Sequence, residues 1–180
     1  NAVDRQRRRP RDAPTFVIPS GNLGHATACV WARHIGLPIG EIVLAHNANR
    51  TVPDYLQDGQ LRVRPSVATI SSAMDVGNPS NLERLTALYH EAAALRTALS
   101  AVSIDDEATR ARISADYHQY GHVWCPHTAV AAEAYARLAG AVRSSGRRVL
   151  VATAHPAKFR EIIEPLIGRP VPLRDNRARL

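Results

Sequence analysis

Thr15-Phe16-Val17-Ile18-Pro19-Ser20-Gly21-Asn22-Leu23-Gly24-His25-Ala26-Thr27-Ala28-Cys29-Val30 decides how this chain folds. Residues 15–19 form a short apolar, β-prone run of the kind buried in the middle of a sheet. Ser20 to Gly24 is a turn, and from His25 to Ile35 the apolar spacing becomes helical, with Gly36 as its stop. Glu41 to Ala45 is a second buried strand. Strand, glycine turn, helix and strand make a βαβ unit, which requires a parallel sheet. A glycine turn that opens a helix aims several backbone N–H groups and the positive end of the helix dipole at one point, where an anion of phosphate size fits. Ser20, Gly21, Asn22, Leu23 and Gly24 are the candidate residues for such a site. The turn lacks the third glycine of the dinucleotide fingerprint and the Gly-Lys-Ser/Thr of a P-loop. Taken alone, it is equally compatible with a tight turn that binds nothing.

Working outward, Val52 to Gln57 is expected as a short helix begun at Thr51 and Pro53 and stopped by Gly59. Val63 to Ile70 is expected as an irregular or edge strand because of Pro65. A long amphipathic helix is expected over Asn81–Leu99, and another over Asp105–Tyr120 with Ser103 as its N-cap. An alanine-rich helix follows over Thr128–Arg143, then a strand over Arg148–Thr153 and a last helix over Pro156–Ile167. The class is α/β, a mostly parallel sheet with helices on both faces. Residues 1–14 read as a disordered or out-of-context basic segment, 15–170 as the domain and 171–180 as a tail.

A second constellation, Thr153-Ala154-His155-Pro156-Ala157-Lys158-Phe159, also lies at a strand end, where ligands gather in open α/β sheets. The Thr153 hydroxyl can hydrogen-bond a ring nitrogen or a phosphate oxygen. His155 and Lys158 are one helical turn apart. They read equally as an N-cap and a surface lysine.

The apolar share is 45% and the net charge +7, carried by arginine apart from the single lysine, Lys158. The arginines are dispersed beyond residue 11 and not interleaved with aromatics, which argues against nucleic acid as a partner. Cys29 and Cys125 form no metal or redox spacing and are expected as buried or half-buried free thiols. No apolar run is long enough for a membrane span, so the expected location is the cytoplasm, without metal or membrane.

Five ordered words resemble threonine synthase: Pro19-Ser20-Gly21-Asn22-Leu23-Gly24; Ala45-His46-Asn47-Ala48-Asn49-Arg50; Ser72-Ala73-Met74-Asp75-Val76 with Pro79-Ser80-Asn81-Leu82-Glu83-Arg84-Leu85; Pro126-His127-Thr128-Ala129-Val130; and Thr153 to Phe159. The likeness runs from about Phe16 to about Gly168. It implies the C-terminal portion of a pyridoxal 5'-phosphate (PLP) enzyme of the tryptophan-synthase-β-like fold. Such enzymes convert O-phospho-L-homoserine and water to L-threonine and phosphate. By this resemblance the amides of Gly21 to Gly24 hold the cofactor phosphate and Thr153 pairs with its pyridine nitrogen. His155 and Lys158 help bind the substrate phosphate. The Schiff-base lysine of the family belongs to a motif upstream of the glycine turn that this chain does not contain. No catalytic residue is therefore assigned, and a missing N-terminal half is expected as partner. The alternative is a non-catalytic PLP- or phosphate-binding remnant. Leu23, His25, His46 and Arg50 depart from the family pattern.

Overall fold

The computed structural model describes residues 13–141 and 147–172. The segments 1–12 and 173–180 of the two expected termini lie outside the described residues. The four strands are β1 (Thr15–Pro19), β2 (Ile42–His46), β3 (Ser100–Ser103) and β4 (Arg148–Leu150), ordered β3-β2-β1-β4 and parallel throughout. The helices are α1 (Gly24–His34), α2 (Thr51–Asp58), α3 (Leu82–Tyr89), α4 (Ala92–Ala98), α5 (Asp106–Tyr120), α6 (Pro126–Ala141) and α7 (Arg160–Ile167).

The two-residue alternation of the strands sorts their side chains into two cores. Ile18, Ile42 and Leu44 pack with Ala26 and Val30 of α1, Val52 and Leu56 of α2, and the leucines of α3 and α4. Val17, Val43 and Ala45 face the other way, onto Val130, Ala131 and Ala134 of α6. The alanines let α6 lie close on the sheet. Ile113 of α5 and Ile163 and Ile167 of α7 close a third cluster behind it. Each large aliphatic side chain buried in this way contributes roughly 1.5–3 kcal/mol before conformational entropy is counted.

Four expectations are corrected. Residues 63–70 form no strand: 61–68 are exposed, and side chains take up the amides that a ladder would have used. Val67 N donates to Asn49 Oδ1 (2.8 Å), Thr69 N to Asp75 Oδ2 (3.0 Å) and Ile70 N to Asp106 (3.1 Å). The long helix over 81–99 is two helices, because His90 takes a positive φ of 60° and Glu91 is extended. The chain from Ser100 then enters the sheet as β3, a four-residue edge strand in which only Ala101 and Val102 are apolar. Ser103 does not cap α5; its hydroxyl donates to Asn47 O (2.6 Å), and Asp105 caps instead by accepting from Ala108 N (2.8 Å). Finally, β4 ends at Leu150, short of Thr153, and residues 156–159 form a 3-10 turn before α7. Thr153 N leaves the sheet because Thr128 Oγ1 accepts its hydrogen (3.2 Å).

Candidate functional site

All four strands run the same way, so the loops at their C-terminal ends share one edge. The glycine turn after β1, the Asn47 segment after β2 and the Thr153 segment after β4 all emerge there. This is the edge at which open parallel sheets take ligands.

The glycine turn is built tightly. Leu23 adopts the left-handed conformation (φ 62°, ψ 10°) at the start of α1, with its side chain buried. A Cβ on Gly21 would lie 2.7 Å from Met74 Cα, so only glycine fits against that backbone. Asn22 Oδ1 accepts from Ser80 N (2.6 Å) and Ser80 Oγ (3.1 Å), and Asn81 Nδ2 donates to Asn22 O (2.8 Å). The Asn22 side chain, expected among the ligand donors, thus has its oxygen committed to fixing the turn. Among the described residues, no protein acceptor takes the amides of Gly21 through Ala26. Ser20 Oγ is fully buried and unpartnered, as are Thr27 Oγ1 on the first turns of α1 and His46 Nε2 at the end of β2. Burial lowers His46 to about 3, so its ring is neutral at physiological pH. Free amides at a helix N-terminus, next to orphaned polar atoms, form a cradle with donors to spare.

Met74, which backs Gly21, is itself held by a polar joint. Asn47 Nδ2 donates to Asp75 Oδ1 (2.7 Å) and Thr69 Oγ1 (2.8 Å), and Asn47 Oδ1 accepts from Asn49 N (3.0 Å) and Asn49 Nδ2 (2.9 Å). The words around Asn47 and Asp75 therefore act as one clamp that sets the wall of the turn. Arg50, one of the departures from the family pattern, points to solvent and pairs with Asp54 (3.2 Å).

Across the edge, Thr153 is exposed while its supports are not. Its hydroxyl lies 3.2 Å from Thr128 Oγ1 and 3.5 Å from Cys125 Sγ, and Thr128 Oγ1 is 3.1 Å from the same sulfur. Burial raises the Cys125 thiol, but its polar neighbours His127, Thr128 and Thr153 outweigh it and bring it down from 9.0 to about 6. Both cysteines are free, Cys29 half-buried and Cys125 buried. His155 caps the 3-10 turn, its Nδ1 accepting from Ala157 N (3.2 Å), which leaves the neutral ring's proton on Nε2. Lys158 is exposed and meets no carboxylate among the described residues. Reading the sequence missed Cys125, His127 and Thr128 as members of this site, although the word containing the last two was visible.

Comparison with known proteins defines the class first. The chain superposes on the crystal structure of threonine synthase from Escherichia coli with a TM-score of 0.81 at 34% identity, over 93% of this chain and 38% of that one. It also matches a PLP-bound threonine synthase from Brucella melitensis with a TM-score of 0.82 at 28% identity, over 92% of this chain and 40% of that one. The fold is part of the tryptophan-synthase-β-like α/β architecture. In sequence, threonine synthase of Haemophilus influenzae is 37% identical over 96% of this chain and 40% of its own length. Residues 128–180 match the family model described as threonine synthase, C-terminal. The chain is similar to the C-terminal portion of threonine synthases and spans about two fifths of the length of these relatives. Among the described residues, no helix is long and apolar enough to cross a membrane.

Proposed function

We propose that this chain is the cofactor-phosphate-holding portion of a PLP-dependent threonine synthase that turns O-phospho-L-homoserine and water into L-threonine and phosphate in the cytoplasm. The observation that carries the reading is the run of uncommitted amides from Gly21 to Ala26 at the N-terminus of α1, in a turn whose wall admits no Cβ at Gly21. A phosphate monoester dianion matches that donor set, and Ser20 Oγ supplies a further buried donor. PLP, when bound, supplies the electron sink for the replacement chemistry. Gly21, Asn22, Leu23 and Gly24 hold the phosphate through the backbone, while Leu23 and the clamp behind Met74 keep the cradle from collapsing. Thr153 would meet the ring nitrogen with a neutral hydroxyl, a partner that does not stabilise the pyridinium as a carboxylate would. His155 Nε2–H and the Lys158 ammonium lie one turn further along and offer a donor and a cation to the substrate phosphate.

This assignment places the amino-acid carboxylate site and the aldehyde-anchoring lysine in a part of the enzyme other than this chain. Incubating the protein that carries this chain with PLP and O-phospho-L-homoserine should release threonine and inorganic phosphate one for one. Phosphate without threonine, or no turnover with the cofactor bound, contradicts the reading.

A further inference from the structure

We propose that Cys125 is a positioning residue for Thr153: acting through Thr128, its sulfur decides whether the Thr153 hydroxyl offers its hydrogen or its lone pairs to the cofactor ring. The inference rests on the reading of Thr153 as the partner of the ring nitrogen. Three polar side chains meet at the mouth of the site. Cys125 and Thr128 are buried, at 1% and 2% exposed, and Thr153 alone opens towards the ligand edge.

The hydrogens can be counted. Thr128 Oγ1 has one hydrogen and two lone pairs, and Thr153 N–H fills one of the pairs at 3.2 Å. Its two remaining neighbours are Cys125 Sγ and Thr153 Oγ1. When the sulfur carries its hydrogen, S–H donates to the second lone pair of Thr128. The Thr128 hydroxyl must then donate to Thr153, and the Thr153 hydrogen is free for an unprotonated ring nitrogen. When the sulfur is a thiolate it accepts from Thr128 N (3.4 Å) and from the Thr128 hydroxyl. Thr153 then turns its hydrogen inward, onto Thr128 or the sulfur, and only its lone pairs face the ring. One proton on sulfur thus reverses the polarity of the hydrogen bond that Thr153 offers, two links along the relay.

His127 supplies an independent support. It is 5% exposed, and its Nε2 accepts from Ala73 N (3.1 Å), which places the ring hydrogen on Nδ1. Among the described residues that Nδ1 has no well-formed partner, and the Cys125 sulfur is a neighbour able to use its hydrogen. The His127 ring also meets Phe159 in a tilted contact at 4.9 Å, so the orientation of the donor is held by the turn that follows Thr153. Among the described residues His127 is the ionisable neighbour that acts on the sulfur, and no carboxylate or guanidinium contributes.

The test is a titration of the ultraviolet thiolate absorbance in the full chain. Cys29→Ser serves as background, since burial raises the Cys29 thiol and its removal isolates Cys125. Thr128→Val and Thr153→Val each remove a hydroxyl from the relay at nearly constant volume. Each should raise the thiol midpoint by about one pH unit, the size of shift that one lost hydrogen bond to the charged form produces. Thr128→Ser keeps the hydroxyl and should restore the midpoint. An unchanged midpoint in both valine variants overturns the relay, whatever the cofactor does. Each variant is compared at equal helicity by circular dichroism, and the serine variant guards against misfolding as the cause. The second arm adds PLP above and below the thiol midpoint and follows the ring absorbance. A spectral shift lost in Cys125→Ala, with inorganic phosphate affinity unaltered, is the expected result. Should PLP fail to bind while the valine variants still shift the thiol, the relay stands and the cofactor reading fails. Should PLP bind with a spectrum indifferent to Cys125→Ala, the positioning role fails and the cofactor reading stands.

Discussion

The two arms of the candidate site are made of different material. The glycine turn offers backbone amides, and its shape is set by what cannot be there: a Cβ at Gly21. The Thr153 arm offers a side chain, and its behaviour is set by hydrogens passed among Cys125, Thr128 and Thr153. A backbone cradle can be damaged only through its geometry. A side-chain relay can be changed with the geometry intact, one hydroxyl at a time.

The sharpest way to break this contrast is Gly21→Ala. The added carbon meets backbone, which cannot rotate away, and a clash of about 3 kcal/mol corresponds to a loss of ~100-fold in PLP affinity. Titration calorimetry with PLP and with inorganic phosphate should show both losses together. Next in size is Asn22→Ala, which removes the side-chain oxygen that accepts from Ser80 N and Ser80 Oγ and leaves only the Asn81 bond to the backbone carbonyl. Losing the Ser80 bonds should cost roughly 1–2 kcal/mol, about tenfold in phosphate affinity by the same calorimetry. Thr153→Val should separate the arms: PLP binds roughly fivefold more weakly for the loss of about 1 kcal/mol, while inorganic phosphate binds as before. If Thr153→Val weakened both equally, the arms would not be independent.

The smallest effect expected is on stability against pH. The folded Cys125 thiol lies near 6 and the unfolded one near 9.0, so the unfolded chain holds more protons between these values. Stability contributed by the thiolate is therefore fully present above about pH 9 and is lost as pH falls to about 6. Urea melts should show stability rising with pH across this window, with a slope of at most about 1.4 kcal/mol per pH unit that is absent in Cys125→Ala. His46 acts in a separate window. Its folded value near 3 lies below the ordinary 6.5, so stability falls as pH drops from 6.5 towards 3. The urea midpoint of the parent chain should fall over that range.

What the sequence made legible follows the same division. The run Thr15–Gly24 announced its strand, turn and helix because glycine placement and apolar period are local signals. The strand at Ile42–His46 and the helix at Thr51–Asp58 were equally plain, the latter ended by Gly59 at φ 81°. β3 was not legible, since Ser100 to Ser103 are small, half-exposed edge residues and their pairing with β2 is a tertiary fact. Nor was the break at His90, which carries no proline or glycine. The segment 63–70 misled because it is rich in β-branched residues, as a strand would be, whereas Asn49, Asp75 and Asp106, brought in from elsewhere in the chain, satisfy its backbone. At the site, Gly21 and Thr153 were visible through their motifs. Cys125 was not, because its importance comes from two threonines, one of them 28 residues away, that only the folded sheet edge brings within reach.

The central claim is that the amides of the β1–α1 turn hold the phosphate of a pyridoxal cofactor while Thr153 meets its ring. Amide chemical shifts recorded while PLP is added to the full chain test it directly. The account predicts the largest changes at Gly21 to Ala26, a second set at Thr153, and only the first set when inorganic phosphate replaces PLP. Changes confined to His155–Lys158, or none in the turn at saturating PLP, would contradict it.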